Sequence, residues 1–535
     1  MTRSRKAALA SLFLLPVLAG GFALQARSTR TGAQLLDQVL TFVALRYVDT
    51  LDAPSLYEKA ARGLVKELND PYTELFTPKQ LEEFSRSTNG RYAGLGMEIL
   101  PVAGYVTIQK VFPNTPAEAG GVQEGDRIVA IDTFNARNWS NAQAQSKLLG
   151  PPGTPVTVTF ARPGVPQPIK LDFKRAEIKV PAVRYSLMID DRVGYVPLDR
   201  FSEQTTEDIA NAVQSLKSKG AKGIVIDLRG NPGGILEEAF AMSNLFLPQG
   251  KELLSVRGRA GENQKYVSQR PALAPDIPLV VLVDSYSASA SEIVAGALQD
   301  YDRALILGTT SFGKGLVQSV YNLDGGYALK ITTGKWFTPS GRSIQRERKL
   351  DADGRYVEVA PDSLETEATR KAKPVYKSEA GRVLYGGGGI SPDVVVPSDT
   401  ISTAEVKLAR ELAPKAQDYQ SILSQYAESF KGKVRPEFTY NRAWGDTVYQ
   451  KLTAAGVKIE RSDFDAGRTF VDKQLEYRIA RIAFGDTTEK RHQLPDDTAL
   501  RVAVDILKRS GTQKEVFATA ATVKPLAKSS DRKGP

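Results

Sequence analysis

Leu279-Val-Val-Leu-Val283 is an unbroken apolar run, the pattern of a strand buried on both faces. Such a strand needs paired neighbours and a covering layer on each side, which few architectures supply. From 179 to 398 the surrounding chain provides suitable elements. Val193–Pro197, Gly223–Asp227 and Ala304–Leu307 read as further strands, with helices at Glu207–Ser218 and from Ile293 to Leu298. This alternation predicts an α/β (α+β) core.

A chain of 535 residues is too long for one core, and its texture changes along its length. Arg3, Arg5 and Lys6 precede an uncharged, mostly apolar stretch. Residues 1–26 are therefore expected to be a secretory signal, or an anchor that keeps the protein on the membrane. That places the remainder outside the cytoplasm. In 27–88, Leu35, Leu36, Val39, Leu40, Val43 and Tyr47 recur at helical spacing, as in a docking or dimerising element. A homo-oligomer is the expected consequence. Short strands and glycine turns fill 89–178, and 179–398 holds the core with a polar insertion at 347–386. Beyond 399 the chain is mainly helical, with amphipathic stretches such as Leu475–Ile482 and Ala499–Leu507. That region is expected to make an oligomer contact or partner surface, or simply to pack. The net charge of +10 is spread without a dense basic run, so nucleic acid is not an expected partner.

Composition narrows the chemistry. The chain has no cysteine and one histidine, His492, which excludes thiol nucleophiles and multi-histidine metal sites. No metal or cofactor is expected. A serine nucleophile would need His492 or, more readily, a lysine as its base. Ser287-Ala-Ser-Ala-Ser-Glu-Ile293 follows the buried strand and opens a helix. Ser289 thus sits where backbone N–H groups can meet an oxyanion, although Ser289-x-x-Glu292 also fits a helix-capping box. Lys314 follows in a glycine-rich loop, 25 positions later. Gly308–Lys314 imitates a phosphate-binding loop, but Gly315 stands where that motif needs a hydroxyl. Upstream, the strand Gly223–Asp227 runs into Leu228-Arg-Gly-Asn-Pro-Gly-Gly234, a turn whose glycines let amides approach a substrate carbonyl.

Residues 89–178 resemble a PDZ domain over their full length. Gly94-Leu95-Gly96-Met97 stands in the place of the loop whose amides bind a peptide's terminal carboxylate. More broadly, residues 32–398 resemble the C-terminal processing peptidases. The resemblance runs through Asp70-Pro71-Tyr72, the PDZ segment, Asp227–Gly234, Ser287–Asp300, Phe312–Gln318, Thr338–Gln345 and Gly389–Asp393. It implies an ATP-independent serine endopeptidase in which the PDZ domain captures and gates protein substrates with free C-termini. Ser289 is then the nucleophile, Lys314 the general base and Gln318 the residue orienting that lysine. The oxyanion hole would use the amide of Ala290 and one from Gly233 or Gly234, leaving Ser287 and Ser291 as bystanders or helix-capping groups. Asp284 departs from the asparagine common at its position. The alternative is a catalytically silent PDZ scaffold that only holds peptides.

Overall fold

The computed structural model describes residues 32–523, apart from 103, 163, 260–262, 351–355 and 359–366. The signal segment expected at 1–26 therefore lies outside the described residues. Two compact units are present. The smaller joins the described residues up to Leu81 with Gln318–Thr332, and the larger holds those of Glu82–Val317 and from Thr333 to 523.

The larger unit is organised by a six-stranded sheet. Its strands are β1 (Leu187–Met188), β2 (Val193–Pro197), β3 (Gly223–Asp227), β4 (Leu279–Val283), β5 (Leu305–Gly308) and β6 (Val394–Val395). They lie side by side in chain order, β1 antiparallel to β2 and the others parallel. Each β4 residue is at most 1% exposed, so the apolar run is the central strand its sequence predicts. Side chains alternate along a strand, so the two faces need separate covers. Ile224, Ile226, Val281 and Ile306 pack with helices α1 (Thr205–Ser218), α2 (Leu236–Asn244) and α3 (Ala290–Asp300). Val225, Val280, Leu282 and Leu307 pack instead on α4 (Thr498–Lys508), through Leu500, Ala503 and Leu507. Ala499–Leu507 is thus the second cover of the central sheet. Burying each such leucine or valine contributes roughly 1.5–3 kcal/mol. The helices between Thr403 and Phe484 have a core of their own around Leu423, Val448, Phe464 and Leu475.

A buried ion cluster fastens α4 to the sheet. Arg229 bonds Asp227 at 2.6 Å and Asp497 at 2.8 Å, Lys490 bonds Asp497 at 2.8 Å, and Tyr195 donates to Asp227. Asp497 also N-caps α4 by accepting from Leu500 N–H. Burial opposes the Asp497 charge, but Arg229 and Lys490 outweigh it and hold the carboxyl well below its ordinary range. A depressed acid stabilises the fold above its unfolded pKa and loses that effect as pH falls toward its folded one. Asp497→Asn is accordingly expected to lower stability by about 3–5 kcal/mol near neutrality. In denaturant melts, the gap to wild type should shrink progressively below about pH 4.

Residues 97–174 form a sheet with its own core, in which Ile108, Ile128, Val158 and Phe160 are at most 1% exposed. The helix Asn141–Leu148 is closed by a Ser140/Gln143 capping box. Both ends of this region pass through a ribbon pairing Arg91–Gly94 with Ala176–Lys179. The insertion expected at 347–386 is not wholly peripheral. Val375–Lys377 and Val383–Tyr385 form a hairpin with Leu384 buried, and Arg382 between them reaches Asp302 and Asp393. A run rich in charge reads as surface, but Arg382 is paired with two acids of the peptidase core.

In the smaller unit, helix Ala53–Glu67 starts at the capping residue Asp52, and Glu74–Phe76 pairs with Ala328–Lys330. The preceding helix over 32–46 leaves Leu35, Leu36, Val39, Phe42 and Leu45 at least half exposed.

Candidate active site

The turn after β4 brings the chain to Ser289, whose φ of 54° and ψ of −113° are unusual for a residue with a side chain. Strain of this kind persists only where the surroundings enforce it. All of α3 is buried behind this residue, while Ser289 itself is half-exposed. A hydroxyl is therefore presented at the mouth of a rigid helix N-terminus.

Several bonds lock the serine turn to the loop after β3. Asp284 Oδ1 accepts from the N–H groups of Gly230, Tyr286 and Ser287, each at 3.0 Å. An asparagine carbonyl could accept the same bonds, so the departure at Asp284 preserves the turn. Ser287 Oγ donates to Leu228 O at 2.8 Å, Ser291 Oγ to Asn231 O at 3.0 Å, and Ala288 N to the same carbonyl. Ser287 and Ser291 are thus neither bystanders nor caps: they stitch two loops together. The sequence hides this because their partners lie about 60 residues upstream.

Gly233 (φ 94°) abuts the serine. A Cβ there would lie 2.6 Å from Ala288 O, and 2.9 Å from both Ala290 N and Ser289 Cβ. Gly234 (φ 149°) has no room for a side chain either, because Phe201 O would be 1.9 Å away. Gly233 N–H is taken by Asn231 Oδ1, itself on a fully buried side chain. Gly233→Ala combines a backbone clash with an unfavourable φ. It is expected to cut kcat/KM at least about a hundredfold through displacement of the Ala290 amide, the scale of losing one oxyanion donor. Wild-type turnover by this variant would show that the turn tolerates displacement.

Lys314 lies between β5 and the strand Leu316–Asn322. What holds its loop is Glu292, fully buried on the first turn of α3. Glu292 Oε2 accepts from Ser289 N and Lys314 N, each at 2.9 Å, and Oε1 accepts from Gly313 N at 2.6 Å and Ser311 Oγ at 2.5 Å. One oxygen therefore binds the main chain of both Ser289 and Lys314. Burial pushes this carboxyl above its ordinary range, while the bonds from Ser311, Lys314, Gly313 and Ser289 pull it back down. The capping-box bond is real, but it is one of four. Trp336 Nε1 donates to Lys314 O, and Gly315 N donates to Gln345 Oε1. Ile390 N donates to Ser311 Oγ. The distant segments 338–345 and 389–393 thus converge on the lysine loop.

The structure brings Ser289, Ala290, Gly233, Gly234 and Lys314 into one site. Gln318 belongs to the smaller unit, where it donates to Thr332 Oγ1, which in turn donates to Asp70. His492 is elsewhere, held between Glu476 and Pro436 O at 2.8 Å each and stacked on Phe438. In the PDZ-like region, Leu95 O and Gly96 O accept from Ala117 N and Phe112 N. Those bonds shape the Gly94–Met97 loop, whose Gly96 (φ 85°) packs against Thr115.

The profile of peptidase family S41 matches residues 192–362, and that of the PDZ domain matches 84–161. A carboxy-terminal-processing protease of Bartonella bacilliformis is 39% identical over 308 residues, covering 57% of this chain and 70% of the relative. Carboxy-terminal processing protease CtpA of Bacillus subtilis is 32% identical over 344 residues, covering 64% and 73% respectively. Among solved structures, the photosystem II D1 C-terminal processing protease matches at 29% identity and a TM-score of 0.35, covering 59% of this chain and 83% of that one.

Proposed function

Because the chain belongs to the carboxy-terminal processing proteases of peptidase family S41, we propose that it hydrolyses proteins near their C-termini with a Ser289–Lys314 dyad. The observation that carries this reading is the shared Glu292 oxygen, which fixes the main chain of both residues in one site. Lysine is a base only when neutral. Lys314 takes the Ser289 proton as the hydroxyl attacks the scissile carbonyl. The developing oxyanion is met by Ala290 N–H and a second amide from the glycine turn. We favour Gly234, since the Gly233 N–H already serves Asn231. Lys314 then protonates the leaving amine, and water releases the acyl group. Gln318, four residues along, matches the residue that orients the lysine in the family it resembles.

The PDZ domain captures the substrate's free C-terminus through the Gly94–Met97 loop and delivers the chain in extended form. The basic, apolar N-terminus supports export, with retention at the membrane if residues 1–26 stay attached. Among the described residues no helix is long and apolar enough to cross a membrane. The exposed stripe on helix 32–46 supports self-association. Phe42→Asp is expected to lower the mass seen by light scattering, and an unchanged monomeric mass in both proteins would remove the idea.

A serine-reactive phosphonate probe, with peptide mapping by mass spectrometry, tests the chemistry. Labelling of Ser289 together with digestion of unfolded casein is the expected result. Digestion with the label on another serine would reassign the nucleophile, and binding of tails without labelling or digestion would leave a scaffold.

A further inference from the structure

Asp70-Pro71-Tyr72 is one of the segments that carry the family resemblance, and it lies far upstream of Ser289 and Lys314 in the chain. The structure gives its carboxylate a definite place within the smaller unit. Glu74–Phe76 pairs with Ala328–Lys330, which brings the turn at Asp70–Thr73 beside Thr332. Asp70 Oδ2 accepts from Thr73 Oγ1 at 2.7 Å and from Thr332 Oγ1 at 2.5 Å. Thr332 N in turn donates to Thr73 Oγ1 at 3.2 Å, so the acid and the two threonines close a ring. Gln318 Nε2 donates to Thr332 Oγ1 at 3.4 Å, from the strand Leu316–Asn322 that begins two residues after Lys314.

The direction of these bonds is set at the acid. A carboxylate only accepts, and a threonine hydroxyl has one proton to give. Thr332 gives that proton to Asp70, so its oxygen can meet Gln318 only as an acceptor. The amide must therefore turn its NH₂ toward Thr332, which leaves the carbonyl Oε1 at its other end. Resting on the reading of Gln318 as the residue that orients Lys314, we infer that Asp70 and Thr332 are positioning residues of the peptidase. They form a relay that fixes which end of the Gln318 amide is offered to the lysine. The sense matters, because a neutral amine has one lone pair and needs it for the serine proton. A carbonyl oxygen takes an amine N–H and leaves that lone pair for Ser289. An NH₂ in its place would compete with the serine for the lone pair. What the relay secures is the orientation of the base, so its loss falls on kcat rather than on KM.

The test uses the full chain digesting fluorescein-labelled casein. It compares Thr332→Val, Thr332→Ser, Gln318→Ala and the double variant Thr332→Val with Gln318→Ala. Valine keeps the shape of threonine but neither donates nor accepts, and serine restores both. Thr332→Val should lower kcat roughly tenfold to a hundredfold, with KM within about twofold of wild type. Thr332→Ser should recover most of the loss, and the double variant should be no worse than Gln318→Ala alone. Asp70→Ala should show the same loss of kcat. Thr332→Val carries the test if that protein melts early, since the acid also holds its own turn through Thr73. Wild-type kcat in Thr332→Val beside a disabled Gln318→Ala would overturn the relay and leave the role of Gln318 standing. Losses that add in the double variant, or that serine fails to restore, would make Thr332 a packing residue and overturn it too. Full activity in Gln318→Ala would instead remove the reading on which the relay rests.

Discussion

Ser289→Ala is expected to lower cleavage of an unfolded protein substrate by at least about a thousandfold, with the melting temperature almost unchanged. The hydroxyl is half-exposed at a strained turn, and the bonds that fix that turn belong to Asp284, Ser287, Ser291 and Glu292. Alanine removes the nucleophile and leaves this framework in place. Lys314→Ala should reach a similar floor, because a serine without a base is as silent as no serine. The two losses should not add: the double variant is expected to match the single ones. Lys314→Arg should not rescue, since a guanidinium does not give up its proton at working pH. A Ser289→Ala protein that cleaves at the wild-type rate would place the chemistry elsewhere.

Glu292→Gln should be nearly as damaging, for a different reason. The carboxylate offers acceptors to four donors, three of them backbone N–H groups. An amide of the same shape keeps one oxygen and turns an NH₂ toward the remaining pair. Two donors then lose an acceptor within a buried site, a cost of about 2–4 kcal/mol. The lysine loop is pushed away from the serine at the same time, so kcat/KM is expected to fall at least about a hundredfold. Ser311→Ala removes only one of the four donors and should be milder in both respects. Urea melts and steady-state kinetics on the same preparations separate the effects. If Glu292→Gln retained wild-type turnover, Glu292 would be a helix cap and nothing more.

The central strand was legible because Leu279–Val283 is apolar without interruption, a property that belongs to the segment itself. Ser289 was legible for a related reason, since a strand ending in small residues before a helix is a local pattern. Glu292 was legible only as a cap: the sequence shows the bond to a residue three positions away, but not the three to residues about 20 positions on. Ser287 and Ser291 were misread because their partners, Leu228 O and Asn231 O, are backbone atoms that carry no sequence signal. The same limit applies to Ala499–Leu507. Its periodicity marks a face to be buried, while the identity of the cover, one side of a sheet whose strands come from residues 187–395, is a tertiary fact.

The position of α4 has a consequence for timing during synthesis. Strands β2 to β5 leave the ribosome long before Thr498, and until then one face of their sheet has no cover. The Asp227–Arg229 pair at the head of the glycine turn is likewise without Asp497 during that interval. Nascent chains therefore contain every residue of the site while the platform under Ser289 is still half-naked. A protease that completes its own floor so late has little opportunity to cut its neighbours, or itself, before it is whole.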